Sequence, residues 1–333
     1  MMMRNPILDN AKGILILLVF IGHAIEYGNG WQNDLSRYIL TIIYIFHMPA
    51  FCFLAGMTTS ESNIRRRVIH LSSILLTFQI IYAVATYTIG WPINTFFYQP
   101  IYILWFLLSL IFWSIALPYL IKIPYTLIYL FVFSLVCGAF NSIGYEFSAS
   151  RTIYFMPFFV AGHLYGARCL EYIEKINKGR VKKGSILVLT LLPLMIFSLN
   201  INNQWFYGVS SYEKLGFNLF PGIILRATLT FSSAICTFYF LMLINDKQGL
   251  VNKIGRASLS VYLLHGIIIL LGLGALFQRI NKHFGVITLV VLSVIICFMI
   301  TIMLSNHRVT SAINKSANFV SEKIITIKNA IFT

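Results

Sequence analysis

Asp9-Asn-Ala-Lys12-Gly-Ile-Leu-Ile-Leu-Leu-Val-Phe-Ile-Gly-His23 is the stretch whose reading decides the fold class. Its centre is apolar enough to enter a bilayer, yet it carries an acid, a base and an imidazole. Ionisable groups are costly in hydrocarbon, so inside a membrane helix they read first as a functional site. Lys12 and His23 stand eleven residues apart, close to three turns at about 3.6 residues per turn. Both therefore project from one face, separated by about 16 Å along the axis. Asp9 lies one turn before Lys12, at the i, i+3 spacing where opposite charges meet.

The rest of the chain has the composition of a bundle that buries this face. Of 333 residues, 58% are hydrophobic and 11% charged, against about 25% charged in a soluble domain. Long apolar runs recur from end to end, which predicts an all-α, polytopic transmembrane helix bundle. Ten spans are expected, over roughly residues 7–27, 36–57, 69–90, 100–121, 124–141, 151–169, 184–200, 221–244, 255–277 and 285–306. Residues 1–308 would form one transmembrane domain. Lys12 interrupts a would-be signal core and no small-residue cleavage site follows His23, so the first helix is expected to be retained.

Loop charge orients the bundle. With the amino terminus in the cytoplasm, Arg and Lys favour the inner loops over the outer ones by about three to one. Ten spans then return the carboxyl terminus to the cytoplasm. The net charge of +15 belongs to these loops, so no nucleic-acid partner is expected. The tail 309–333 places Ile313, Ala317, Val320, Ile324, Ile327 and Ile331 on one stripe, the pattern of an amphipathic helix on the inner leaflet. The five cysteines fit neither a metal site nor a disulfide framework, and no metal is expected.

Several residues carry candidate chemistry. His23 reads as a histidine satisfied within the bundle, or as a general base or acyl acceptor; Glu26, three residues on, either orients it or is an exposed carboxylate. Phe46-His47-Met-Pro49 lies mid-span, where proline favours a kink; His47 then either faces His23 across a cavity or is a buried histidine bonded to a neighbouring helix. Arg65-Arg66-Arg67 at a cytoplasmic helix entrance either holds topology or binds a phosphorylated ligand. Arg151 and Arg226 open outer helix ends against the charge trend, and either line a substrate entrance or snorkel. His265 sits mid-span with Ser258 and Tyr262. The outer loop from Asn200 to Phe220 is rich in aromatic residues, which belong to an interfacial belt or stack on sugar rings.

Taken together these motifs resemble the acyltransferase-3 family of integral membrane acyltransferases, in its fucose 4-O-acetylase-like and exopolysaccharide O-acetyltransferase branch. The resemblance rests on Asp9-x-x-Lys12-Gly with Gly22-His23 at the basic-x10-His spacing, and on Phe46-His47-Met-Pro49-Ala-Phe-Cys-Phe-Leu-Ala-Gly56. It extends through Arg65-Arg66-Arg67, Leu104-Trp105-Phe106-Leu107 and Gly255-x-x-Ser258-Leu-Ser-Val-Tyr262-Leu-Leu-His265. Much of the family has arginine where this chain has Lys12, which keeps the charge and loses the bidentate fork.

The resemblance implies a multi-pass enzyme of a bacterial plasma membrane that uses acetyl-CoA or another acyl-CoA as donor and a glycan as acceptor. It implies catalytic roles for His23, His47, Lys12 and Asp9, and a donor site at Arg65, Arg66 and Arg67. Glu26, Trp105, Arg151, Arg226 and His265 would meet the substrate, and polysaccharide-synthesis machinery is a possible partner. A transporter or flippase for a lipid-linked glycan or small solute shares the same outline. Inverted repeats and broken helix pairs often mark that class, and the sequence has none.

Overall fold

The computed structural model describes residues 5–176 and 178–315, and among them it contains helices and loops but no strand. The first helix, α1 (Pro6–Gly28), starts where its sequence says it should: the Asn5 side chain accepts from the Ile7 amide at 2.8 Å, and Pro6 stands in the first turn, where its missing N–H costs nothing. After a short turn come α2 (Asp34–Met57) and α3 (Ile64–Thr88). Then follow α4 (Trp105–Leu120), α5 (Thr126–Cys137), α6 (Ala149–Lys175) and α7 (Lys178–Ser198). A short α8 (Gln204–Tyr207) lies in the aromatic loop before α9 (Leu219–Leu243). The chain ends in α10 (Leu250–Arg256), α11 (Ser258–Ile268), a π-helical turn over Ile269–Leu273, and α12 (Gly274–Leu304). Residues 307–315 are helical. The expected tail stripe falls mostly on residues 316–333, outside the described residues.

Among the described residues, seven helical stretches are long and apolar enough to cross a bilayer. They cover the expected first, second, third, fourth, seventh and eighth spans. The seventh stretch, Ser258–Leu304, spans 47 residues and covers the ninth and tenth together. Gly285 divides it, with φ at +79° in the left-handed region that an L side chain rarely enters. α5 has only 12 residues, short of the roughly 20 a crossing needs. α6 is 27 residues long but too polar to rank among the seven.

The first two helices form the interior. In both α1 and α2, 67% of the apolar window is buried by protein, against 17% in α7 and 22% in Ser258–Leu304. α1 packs on α2, α10, α11 and α12; α2 packs on α6, α7 and α9 as well. Lipid offers little hydrophobic drive between helices, so close approach depends on small residues. Gly56 and Gly162 let α2 and α6 touch backbone to backbone: a Cβ on either would overlap the carbonyl of Phe159 or Phe53. Gly13 and Gly255 do the same for α1 and α10, against the carbonyls of Val251 and Asp9. The face that carries Lys12 and His23 is thereby held in the middle of the bundle.

Candidate active site

α1 presents His23 and, one turn on, Glu26. The Glu26 carboxylate is crowded with donors: Tyr44 Oη at 2.5 Å, Trp31 Nε1 at 3.2 Å, the Tyr207 hydroxyl, and His23 Nδ1 at 3.3 Å. Tyr44 Oη also lies 3.1 Å from His23 Nδ1. The proton inventory fixes the tautomer. A carboxylate only accepts, and Tyr44 has spent its one proton on Glu26, so both neighbours of Nδ1 are acceptors. Nδ1 therefore carries a hydrogen, and in the neutral ring Nε2 keeps its lone pair.

Two cavities meet at this ring. One, of about 310 Å³, is the more polar of the two; its wall sets Glu26, Tyr44, His47, Arg151 and Tyr207 among aromatic side chains such as Phe155 and Phe206. The other, of about 330 Å³, runs toward the end of the bundle where α1 begins, α2 ends and α3 begins. Its wall is mainly apolar, from Ile16, Phe51, Leu71 and Leu107, with Lys12 and Arg67 as its cations. His23, Met48, Ile103 and Trp105 face both cavities.

The expected site residues scatter across this plan. His47, 4% exposed, faces the polar cavity with His23; its Nδ1 donates to the Ile43 carbonyl at 2.9 Å, so its Nε2 is also an acceptor. Trp105 walls both cavities, and the Arg151 guanidinium lies 4.9 Å from its ring centroid and 5.4 Å from that of Tyr145. Of the arginine triplet, Arg67 alone reaches the apolar cavity; Arg65 and Arg66 are exposed. Asp9 pairs with Arg256 Nε at 3.3 Å and ties α1 to α10. Lys12 faces the apolar cavity. His265 is fully buried, donates from Nδ1 to the Val261 carbonyl at 3.0 Å, and stacks on the His23 ring at 5.6 Å.

Arg226 is placed apart from both cavities. It is 1% exposed, caged by Tyr212 at 4.9 Å, Tyr154 at 5.2 Å and Trp205 at 5.9 Å, and donates to the Ser210 carbonyl at 3.1 Å. Burial pushes the Tyr212 phenol up to about 12, so it stays protonated and donates to the Leu135 carbonyl at 2.6 Å. This cage fixes the loop whose next residues, Phe206 and Tyr207, wall the polar cavity. The loop's Trp205 and Tyr212 are packed inside protein.

The family model described as an acyltransferase domain, acyltransferase-3, matches residues 5–302. The chain belongs to the acyltransferase-3 family. Its long apolar helices are those of a multi-pass membrane protein. A 66-residue stretch is 42% identical to nodulation protein NolL of Mesorhizobium japonicum. That match covers 19% of this chain and 17% of the relative's length. No solved structure matches the chain.

For a member of this family, the ring of donors around Glu26 includes groups that the sequence motifs do not mark. Tyr44 was within reach of a sequence reading, because it precedes His47 by one turn. Tyr102 precedes the Leu104-Trp105 motif; its ring lies 5.5 Å from that of His23, and its φ of +52° is the strained kind found at functional sites. Trp31 and Tyr207 had no local signal. They are 176 residues apart in sequence and joined by a 3.0 Å hydrogen bond.

Proposed function

We propose that this protein is an integral membrane O-acyltransferase that moves an acyl group, acetyl in the first instance, from cytoplasmic acyl-CoA to a hydroxyl of a cell-surface or lipid-linked glycan. The observation that carries the reading is His23: one imidazole, proton on Nδ1 and lone pair on Nε2, at the meeting point of an apolar and a polar cavity. We place the protein in a bacterial plasma membrane with both termini in the cytoplasm. That orientation follows the loop charges.

The apolar cavity suits a pantetheine arm, and Lys12 and Arg67 on its wall suit the phosphates behind it. Arg65 and Arg66, exposed at the same helix entrance, add charge that draws a polyanion. In the polar cavity His23 Nε2 takes the proton of the acceptor hydroxyl. The hydroxyl oxygen attacks the thioester carbonyl, the C–S bond breaks as the C–O ester bond forms, and His23 returns the proton to the departing thiolate. Glu26 holds the imidazolium in between. Arg151 brings positive charge to the cavity where negative charge develops on the carbonyl oxygen, while His47 Nε2 offers an acceptor to a sugar hydroxyl.

The test is His23→Ala in a strain whose surface glycan is normally acylated, with ester groups counted by mass spectrometry. Loss of the ester at unchanged protein abundance is expected, and retained acylation would falsify the role. Transfer of radiolabel from acetyl-CoA to glycan by the purified protein separates an acyltransferase from a flippase.

A further inference from the structure

We infer that the neck between the two cavities, with Met48 as its adjustable wall, selects the length of the acyl group that this protein transfers. The inference rests on the donor and acceptor reading above and extends it to the residue that chooses the acyl group. Four residues face both cavities and so bound the neck: His23, Met48, Ile103 and Trp105.

Three of the four are anchored. His23 is held by Glu26 and Tyr44. Trp105 packs against the Arg151 guanidinium and the Phe155 ring, whose centroid is 5.6 Å away. Ile103 accepts at its carbonyl from the Tyr262 hydroxyl and follows Tyr102, whose left-handed backbone sets the turn. Met48 is the unbranched side chain of the set, a thioether with three rotatable bonds that conforms to whatever fills the gap beside it.

The transfer step puts the acyl group at this neck. The thioester sulfur arrives from the apolar side and the attacking hydroxyl from the polar side. The carbonyl carbon must lie within reach of His23, which faces both. The C–S bond breaks, the C–O bond forms, and the hydroxyl proton leaves on the thiol by way of His23. Carbons beyond the carbonyl then lie against Met48, Ile103 and Trp105. A longer chain must displace Met48 or push on into the cavity that the acceptor itself needs, beside Glu26 and Arg151. One methylene in such a fitted pocket is worth about 10–200-fold in discrimination.

The experiment uses the purified full chain in nanodiscs, labelled acetyl-, propionyl- and butyryl-CoA as donors, and membranes of a strain lacking the protein as acceptor pool. Met48→Ala is expected to raise the butyryl-to-acetyl ratio of kcat/KM by about tenfold or more, and Met48→Phe to lower the propionyl-to-acetyl ratio by about as much. Leu110→Ala, in the wall of the apolar cavity but away from the neck, should leave both ratios within about twofold. Ile103→Val widens the neck with the least disturbance and should move the butyryl ratio in the same direction as Met48→Ala if the Met48 variants fail to fold. Unmoved ratios in folded neck variants, or an equal shift in Leu110→Ala, overturn the neck while wild-type transfer stands. Absence of transfer from any acyl-CoA by the wild-type protein overturns the donor reading itself.

Discussion

At the scale of single residues, the chemistry turns on which nitrogen of His23 carries its proton. Glu26 and Tyr44 decide it because neither has a hydrogen left to give. Glu26→Gln replaces an obligate acceptor with an amide that can also donate, so the preference for Nδ1–H is lost. We expect kcat to fall by about 10²-fold or more, with the KM for acyl-CoA little changed, read as CoA release by the purified variant. The arginine triplet divides by position. Arg67 reaches the apolar cavity and Arg65 does not. Arg67→Ala should raise the KM for acyl-CoA by about tenfold, the size of one charge-assisted contact, and Arg65→Ala much less.

Helix pairs carry the next level. α2 brings Tyr44, His47 and Met48 to the site, and its placement depends on contact with α6, which brings Arg151. That contact is made through glycine at Gly56 and Gly162. Gly162→Leu should lower the thermal midpoint in detergent, with an overpacking cost of about 1–3 kcal/mol. Gly184→Ala, with open space around it, should stay within about 0.5 kcal/mol of wild type. The Arg226 cage works at the same scale, since its cation and three rings fix the loop that supplies Tyr207 to Glu26. Arg226→Met removes the cation–π contacts and the bond to Ser210, and a lower midpoint is expected from the same melt.

Across the whole molecule, the proposed function requires the two cavities to open to opposite sides of the bilayer. The loop between α8 and α9 and the beginning of α7 belong to opposite faces in the proposed orientation. Four of the five cysteines are buried, and Cys169 is half-buried, so a Cys169→Ala background is nearly silent to a membrane-impermeant maleimide. In that background Asn218→Cys should label in intact cells, and Lys183→Cys only after permeabilisation; both positions are exposed. The reverse pattern would invert the bundle and put the donor on the wrong side.

The sequence by itself determined the helical class, most of the long apolar helices and the shared face of Lys12 and His23 on α1. Hydrophobic runs and the spacing of Lys12 and His23 are local, and a helix of known pitch converts spacing into direction. It also marked Glu26, one turn from His23, as a group that could orient the ring. The length of α5 was overestimated at 124–141, since an apolar run does not show where a helix stops. Tertiary structure decided what long-range contact decides: that Asp9 meets Arg256 of α10, that Arg226 holds a loop and stands away from both cavities, and that His265 lies against His23. It alone brought Tyr207, 181 residues along the chain, onto Glu26. Hydrogen-bond partners so far apart leave no period in a sequence, because their meeting is set by helix packing and not by the chain between them.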